Sequence, residues 1–349
     1  MWSVASARKF YMRMEEYNYM IKQSVGFLGM GCYVPEKVVT NYDLEKLVDT
    51  NNDWIVERTG IKERHIAAPE DATSDLAVRA ANLAIADAGL TPDDIDLVIV
   101  ATETPDTKFP STACLVQDKI GAKHAAAFDL SAGCSGFVYG AAVASQLIAS
   151  GLYKHVLVVG AETLSRIMNW KDRNTCVLFG DGAGAAVLGN VDEGYGILAI
   201  DLGADGSGGP HLSMPAGGSR KPASHETVDA CEHFIHMSGN DVFKFAIKIM
   251  ARTALRVLEK AGLKKDDIDL LVPHQANIRI IDSAAKRLKL STDKIMINVE
   301  KYGNTSAASI PIALCEAREE GRLKKEQNVL LVGFGAGLTW ASILVKWHK

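Results

Sequence analysis

The chain has 349 residues, 48% of them hydrophobic and 23% charged, with a formal net charge of −4. This is an ordinary soluble composition, long enough for about two domains' worth of core. The charge balance does not suggest a nucleic-acid partner, no apolar run approaches the roughly 18 residues of a membrane span, and the six cysteines are scattered without a C-x-x-C pair or metal-ligand spacing to the nine histidines. That usage suits a reducing cytoplasm and predicts no metal site.

Residues 1–24, MWSVASARKFYMRMEEYNYMIKQS, are basic at the start but lack the apolar core of a secretory signal, and Glu15 and Glu16 argue against a transit peptide. They are expected to be an appendage, disordered or made from an upstream start, with Met20 beginning the domain proper. The run VGFLGMG (25–31) predicts the first strand; Gly29 and Gly31 hint at a dinucleotide turn, but the third glycine is missing and Pro35 follows where a helix would begin. Two short helices come next, one capped by Thr40 or Asn41, the other led in by Asn51 and Asn52. Thr73 or Ser74 is expected to cap a further helix that Gly89 ends.

The following segment sets the architecture. AGLTPDDIDL (88–97) returns as AGLKKDDIDL (261–270), and HVLVVG (155–160) returns as NVLLVG (328–333), each 173 residues later. Two elements repeating at one offset predict an internal duplication, with copies over 25–195 and 196–349. In each copy helices alternate with short, nearly continuous apolar strands, the pattern of sheets covered on both faces. The stretch 203–239, rich in Gly, Pro, Ser and His, lies outside the repeat, and its histidines, His211, His225, His233 and His236, are expected to be loop residues with no metal.

Within the first copy, an apolar run over 125–130 stops at Ser131-Ala132-Gly133-Cys134-Ser135-Gly136 and resumes as a segment dense in Ala, Val, Leu and Ile. This predicts strand, sharp turn and buried helix, with Cys134 near the helix start, where free N–H groups and the macrodipole favour a thiolate. In the second copy the corresponding strand, expected over 294–299, leads into Lys301-Tyr302-Gly303-Asn304. The strand over 270–272 ends in Pro273-His274-Gln275-Ala276-Asn277. Packing about a pseudo-twofold axis would bring these strand ends, with Cys134, His274 and Asn304, to one pocket. The runs 180–184 (GDGAG) and 333–337 (GFGAG) each adjoin an apolar strand and predict close backbone approach, not phosphate loops.

A cysteine, a histidine and an asparagine serve two chemistries. In papain-like proteases histidine is the base and asparagine orients it, but the local signature of that family is absent. In the other, the cysteine carries an acyl thioester, while histidine and asparagine donate N–H groups to the oxyanion that develops as carbon dioxide leaves a second thioester.

NNDWIVERTGIKERHIAAP (51–69), FPSTAC (109–114), AGCSGF (132–137), NTCVLFGDGAGAAVL (174–188), VPHQANIRI (272–280), KYGNTSAASIP (301–311) and GFGAGLTW (333–340) together resemble the β-ketoacyl-acyl-carrier-protein synthase III family, which starts bacterial type II fatty-acid synthesis. The resemblance implies a thiolase-like α/β fold, internally duplicated in five layers, α-β-α-β-α, and a catalytic set of Cys134, His274 and Asn304. It implies an oxyanion hole from the N–H groups of Cys134 and Ala336, alanine standing where many relatives have glycine. Trp54 and Arg173 would sandwich the adenine of coenzyme A, with Arg58 and Thr59 nearby and Gly239, Phe243 and Asn277 along the pantetheine tunnel. Phe109 would close the acyl pocket of a homodimer partner, and Lys244, Arg279, Lys286 and Arg287 would dock the acidic acyl carrier protein. The implied reaction joins an acyl-CoA primer to malonyl-acyl carrier protein in the cytoplasm, with coenzyme A thioester as substrate and no cofactor, nucleic acid or membrane involved. A related condensing enzyme of secondary metabolism, an acyltransferase, or a non-catalytic binding module remain the alternatives.

Overall fold

The repeat folds as two sheets of matching strand order. The structure, a computed structural model, describes residues 23–349; the appendage expected over 1–24 lies outside the described residues except for Gln23 and Ser24. The first half supplies β1 (Val25–Tyr33), β2 (Val38–Thr40), α1 (Asn41–Leu44), α2 (Asn52–Thr59), β3 (Glu63–His65), α3 (Thr73–Asp87), β4 (Leu97–Ala101), α4 (Thr112–Ile120), β5 (Ala126–Leu130), α5 (Gly136–Ala149), β6 (Val156–Glu162) and β7 (Gly182–Asn190). The second supplies β8 (Gly196–Ala204), β9 (Leu212–Ser213), α6 (His225–Asp229), β10 (His236–Met237), α7 (Gly239–Ala261), β11 (Leu270–Pro273), α8 (Ile278–Leu288), α9 (Val299–Tyr302), α10 (Ser309–Glu319), β12 (Asn328–Gly335) and β13 (Thr339–Lys346).

The first sheet runs β1-β7-β6-β4-β5 and the second β8-β13-β12-β11. Their pairings correspond: β4 lies parallel to β6 as β11 does to β12, and β6 is antiparallel to β7 as β12 is to β13. The outer strands β1 and β8 are antiparallel to β7 and β13. The strand expected over 294–299 is not a full strand. Residues Thr292–Lys294 form a 3₁₀ turn, and Ile295 makes one isolated parallel bridge to Leu271. The buried side chain of Gln275 takes the backbone groups a ladder would use, donating to the Met296 carbonyl at 3.1 Å and accepting from the N–H groups of Asn298 and Val299 at 2.9 and 3.2 Å. Buried backbone polar groups must find partners, and here one amide replaces a strand edge and lets α9 start early.

Helices α3 and α4 cover the outer face of the first sheet, α7 and α8 that of the second, and α5 and α10 lie between the sheets. This is the expected five-layer arrangement. Phe137, Val138, Ala141, Ala144 and Ile148 of α5 are fully buried, which is why that helix has almost no charged face. The helix starts follow local chemistry. Asn51 caps α2 by accepting the Trp54 N–H at 2.8 Å, and Thr40 caps α1. The cap of α3 is Ala72, whose N–H donates to Asp75 at 2.9 Å. The expected caps are engaged elsewhere, the Thr73 hydroxyl donating to the Thr104 carbonyl at 2.6 Å and Ser74 to Asp106 at 2.7 Å.

The two halves also meet closely at the turn that carries Cys134. A Cβ on Gly335 would lie 2.3 Å from the Cys134 nitrogen, and one on Gly133 2.6 Å from the Ala336 nitrogen. Both obstacles are backbone, so neither can swing aside. Gly335→Ala is expected to cost roughly 1–3 kcal/mol, as overpacking does. It should lower the melting temperature by several degrees and displace the cysteine; an unchanged melting curve would show that the backbones separate freely.

Candidate active site

Cys134 sits in a 3₁₀ turn, Gly133–Ser135, at the end of β5 and immediately before α5. His274 follows β11 and Asn304 follows α9, and all three side chains line one cavity of about 100 Å³ together with Phe243, Asn277 and Gly335. A second cavity of about 150 Å³ reaches Cys134 from the other side, past Glu103, Leu164, Ile167 and Ser306. The excursion outside the repeat is the roof: Leu212 borders both cavities, and Met237 the first.

Each polar side chain is held by a specific partner. The His274 Nδ1 lies 2.7 Å from the Ser309 Oγ, and the His274 N–H donates to the Val332 carbonyl at 2.8 Å. The Ser309 Oγ also faces the Gln275 N–H at 3.4 Å, and a Ser309 hydroxyl donating to Nδ1 places the ring proton on Nε2. Burial pushes the imidazole down to about 3, so it is neutral at physiological pH. The Asn304 Oδ1 accepts the Ser306 N–H at 2.9 Å, leaving the Nδ2 hydrogens for the cavity.

The thiol departs from expectation. Burial, with Glu162 and Glu103 adding like charge, pushes Cys134 up to about 12, although contact with Ser306 opposes the shift. Proximity to the helix start predicts an easier ionisation. Burial outweighs it, because desolvation penalises the charged form. Burial also raises Glu103, and burial with Glu103 raises Glu162 to about 7.

Ala336 is not among the residues with positive φ; in its turn Gly337, at +134°, carries that conformation. The alanine methyl therefore adds no left-handed strain. Of the residues expected along a pantetheine tunnel, Gly239, Phe243 and Asn277 line the cavity that holds Cys134, and the Asn277 amide ties α8 to α2 through the Arg58 carbonyl at 2.9 Å. The Trp54 ring has the Arg58 guanidinium 4.7 Å and the Arg173 guanidinium 5.5 Å from its centroid. Thr59 is buried, its hydroxyl donating to the Ile55 carbonyl at 2.6 Å, so it pins the end of α2. Phe109 is 86% exposed and borders neither cavity. Lys244, Arg279, Lys286 and Arg287 are exposed on α7 and α8, with Arg279 over the Phe243 ring at 5.4 Å. Glu162 and Ser306 were not singled out by the sequence.

A duplicated pair of sheets that brings a cysteine after β5, a histidine after β11 and an asparagine after α9 into one cavity defines a condensing enzyme of the thiolase fold. Models of 3-oxoacyl-[acyl-carrier-protein] synthase III match residues 128–206 and, for the C-terminal part, 258–347. The β-ketoacyl-[acyl-carrier-protein] synthase III of Caldanaerobacter subterraneus subsp. tengcongensis is 63% identical over 328 residues, covering 94% of this chain and 99% of the relative. That of Desulfitobacterium hafniense is 60% identical over 326 residues, covering 93% and 98%. The crystal structure of 3-oxoacyl-[acyl-carrier-protein] synthase III from Aquifex aeolicus superposes with a TM-score of 0.86 at 46% identity, over 93% of this chain and 100% of that one. The chain belongs to the β-ketoacyl-[acyl-carrier-protein] synthase III family. It is an acyltransferase, the condensing enzyme that initiates fatty-acid synthesis.

Proposed function

We propose that Cys134, His274 and Asn304 divide this reaction into two stages. An acyl-CoA primer first transfers its acyl group to Cys134, releasing coenzyme A. Malonyl-acyl carrier protein then loses carbon dioxide against His274 and Asn304, and its carbanion attacks the thioester to give a 3-oxoacyl-acyl carrier protein. The observation that carries this reading is the meeting of the three side chains in one cavity. A neutral imidazole and an amide stabilise a developing enolate oxyanion as fixed donors without protonating the adjacent carbanion, and the N–H groups of Cys134 and Ala336 serve the tetrahedral intermediate in the same way. No cofactor takes part.

The acyl group occupies the cavity past Leu164 and Ile167, and the pantetheine arm enters along Gly239, Phe243 and Asn277. Trp54 and Arg173 stack on the adenine. Two stacking separations of about 3.5 Å each need more than the present 5.5 Å, so Arg173 swings away from the exposed Asp49 it now pairs with when the nucleotide binds. Phe109, exposed in the single chain, reaches the acyl pocket of a second copy in a cytoplasmic homodimer.

Intact mass after brief incubation with a panel of acyl-CoAs tests the first stage. One added acyl group is expected, and the best primer begins to define the pocket; no adduct from any primer would overturn the mechanism. The exposed cations of α7 and α8 dock the acidic carrier protein by complementary charge. Reversing Lys286 and Arg287 to glutamate is expected to raise KM for malonyl-acyl carrier protein roughly tenfold at low salt, with the difference shrinking as salt screens the contact, and to leave self-acylation by acyl-CoA unchanged. Equal KM values would place docking elsewhere.

A further inference from the structure

The largest fully buried side chain among the described residues is an arginine. Arg64, in the middle of β3, has no exposed surface. Its guanidinium donates through Nη1 to the Val39 carbonyl at 3.1 Å and the Asn41 Oδ1 at 2.9 Å, and through Nη2 to the Val177 carbonyl at 2.9 Å. All three acceptors are neutral, and burial lowers the group only to about 10, so a cation is held in the interior at pH 7. Burying a cation without a carboxylate partner is expensive. Departures of this kind are expected where a functional site needs them.

Residues 177–181 link Arg64 to Asn304. Asn304 forms an isolated parallel bridge with Phe179, its N–H donating to the Leu178 carbonyl at 2.8 Å and its carbonyl accepting the Gly180 N–H at 3.0 Å. The guanidinium holds the carbonyl just before this bridge, that of Val177, and the His65 carbonyl takes the Asp181 N–H just after it at 2.8 Å. The arginine stem packs where the two backbones meet: a Cβ on Gly180 would lie 3.1 Å from the Arg64 Cβ, and one on Gly303 3.4 Å from it. Gly303, immediately before Asn304, holds φ at +64°, which a side chain would strain. The guanidinium is itself fixed, because the Asn41 amide that receives it donates to the Ile61 carbonyl at 2.8 Å.

We propose that Arg64 is a positioning residue which, by clamping residues 177–180, fixes the backbone of Asn304 and so the aim of its amide at the malonyl thioester. A catalytic group must be held within about 0.5 Å by neighbours that are themselves locked, and one isolated bridge does not supply that alone. The hydrogen bonds of Arg64 reach none of the residues of the cysteine turn, where Glu103 instead accepts the Gly133 N–H at 2.7 Å. Arg64 therefore serves the second stage and not the first. The inference rests on Asn304 acting in decarboxylation.

Arg64→Lys keeps the charge but cannot span three acceptors. It is expected to lower kcat for carbon dioxide release from malonyl-acyl carrier protein by preformed acyl enzyme roughly ten- to a hundredfold, with KM unchanged, the scale on which misplacing a group by about 1 Å acts. The single-turnover acylation rate, followed by intact mass, should stay at the wild-type value. In an Asn304→Ala background the same substitution should cost nothing further, because a residue that acts through another has no effect once the other is removed. Where Arg64→Lys does not fold, Asn41→Ala, which removes one of the three acceptors, decides by the same readouts with a smaller loss. Wild-type decarboxylation in these variants, equal loss of both stages, or losses that add in full to that of Asn304→Ala would overturn the positioning role. Undiminished decarboxylation in Asn304→Ala alone would instead overturn the reading beneath it.

Discussion

Cys134→Ala is expected to abolish self-acylation and to reduce condensation by at least about 10⁴-fold, the scale on which removing a covalent nucleophile acts. The intact mass of the variant after incubation with acyl-CoA should equal that of the untreated protein, while the wild type gains one acyl group. The other five cysteines are poor substitutes. Cys176 and Cys315 are buried away from the cavities, and Cys32, Cys114 and Cys231 border neither. Folding should change little. Trimming one sulfur from an enclosed site costs on the order of 1 kcal/mol, so the melting temperature should shift by only a few degrees. An acylated Cys134→Ala protein would move the acyl acceptor to another residue and remove the reason for the histidine and asparagine at the same cavity.

The sequence made some parts of this site readable and hid others. Cys134, His274 and Asn304 were legible because each was expected just past a strand of a repeat whose offset is constant; the structure keeps that place for Cys134 after β5 and for His274 after β11, whereas Asn304 follows α9. Sheets covered on both faces followed from the same repeat, and the five layers from the resemblance to the synthase III family. The second copy's edge strand did not, because its place is taken by Gln275, whose effect depends on a side chain folding back across 21 residues. The thiol's direction of titration was misread for a related reason. Its burial comes from tertiary packing, which periodicity does not place. Glu162 looks, in the run VLVVGAE, like the polar end of an apolar strand; only the approach of Thr102, Glu103 and Thr104 from a neighbouring strand end buries it.

His274→Ala and Asn304→Ala should separate the two stages. Each is expected to form the acyl enzyme, since the thiol remains. Each should lose decarboxylation of malonyl-acyl carrier protein by about 10² to 10³, the effect of deleting one oxyanion donor in a dry site. The two losses should not add in full, because two donors on one oxygen act as a unit. The pH dependence supplies an independent check. An imidazole held near 3 by burial stays neutral as the solution falls to pH 5, so decarboxylation from preformed acyl enzyme should show no histidine inflection between pH 5 and 8. An inflection near the ordinary histidine value of about 6.5 would mean that the ring is solvated in the working enzyme and exchanges protons with substrate. Loss of self-acylation in Asn304→Ala would count against a purely decarboxylating role. Its Oδ1 also anchors the Ser306 backbone beside the cysteine cavity, so that outcome would tie the asparagine to the shape of the acylation site.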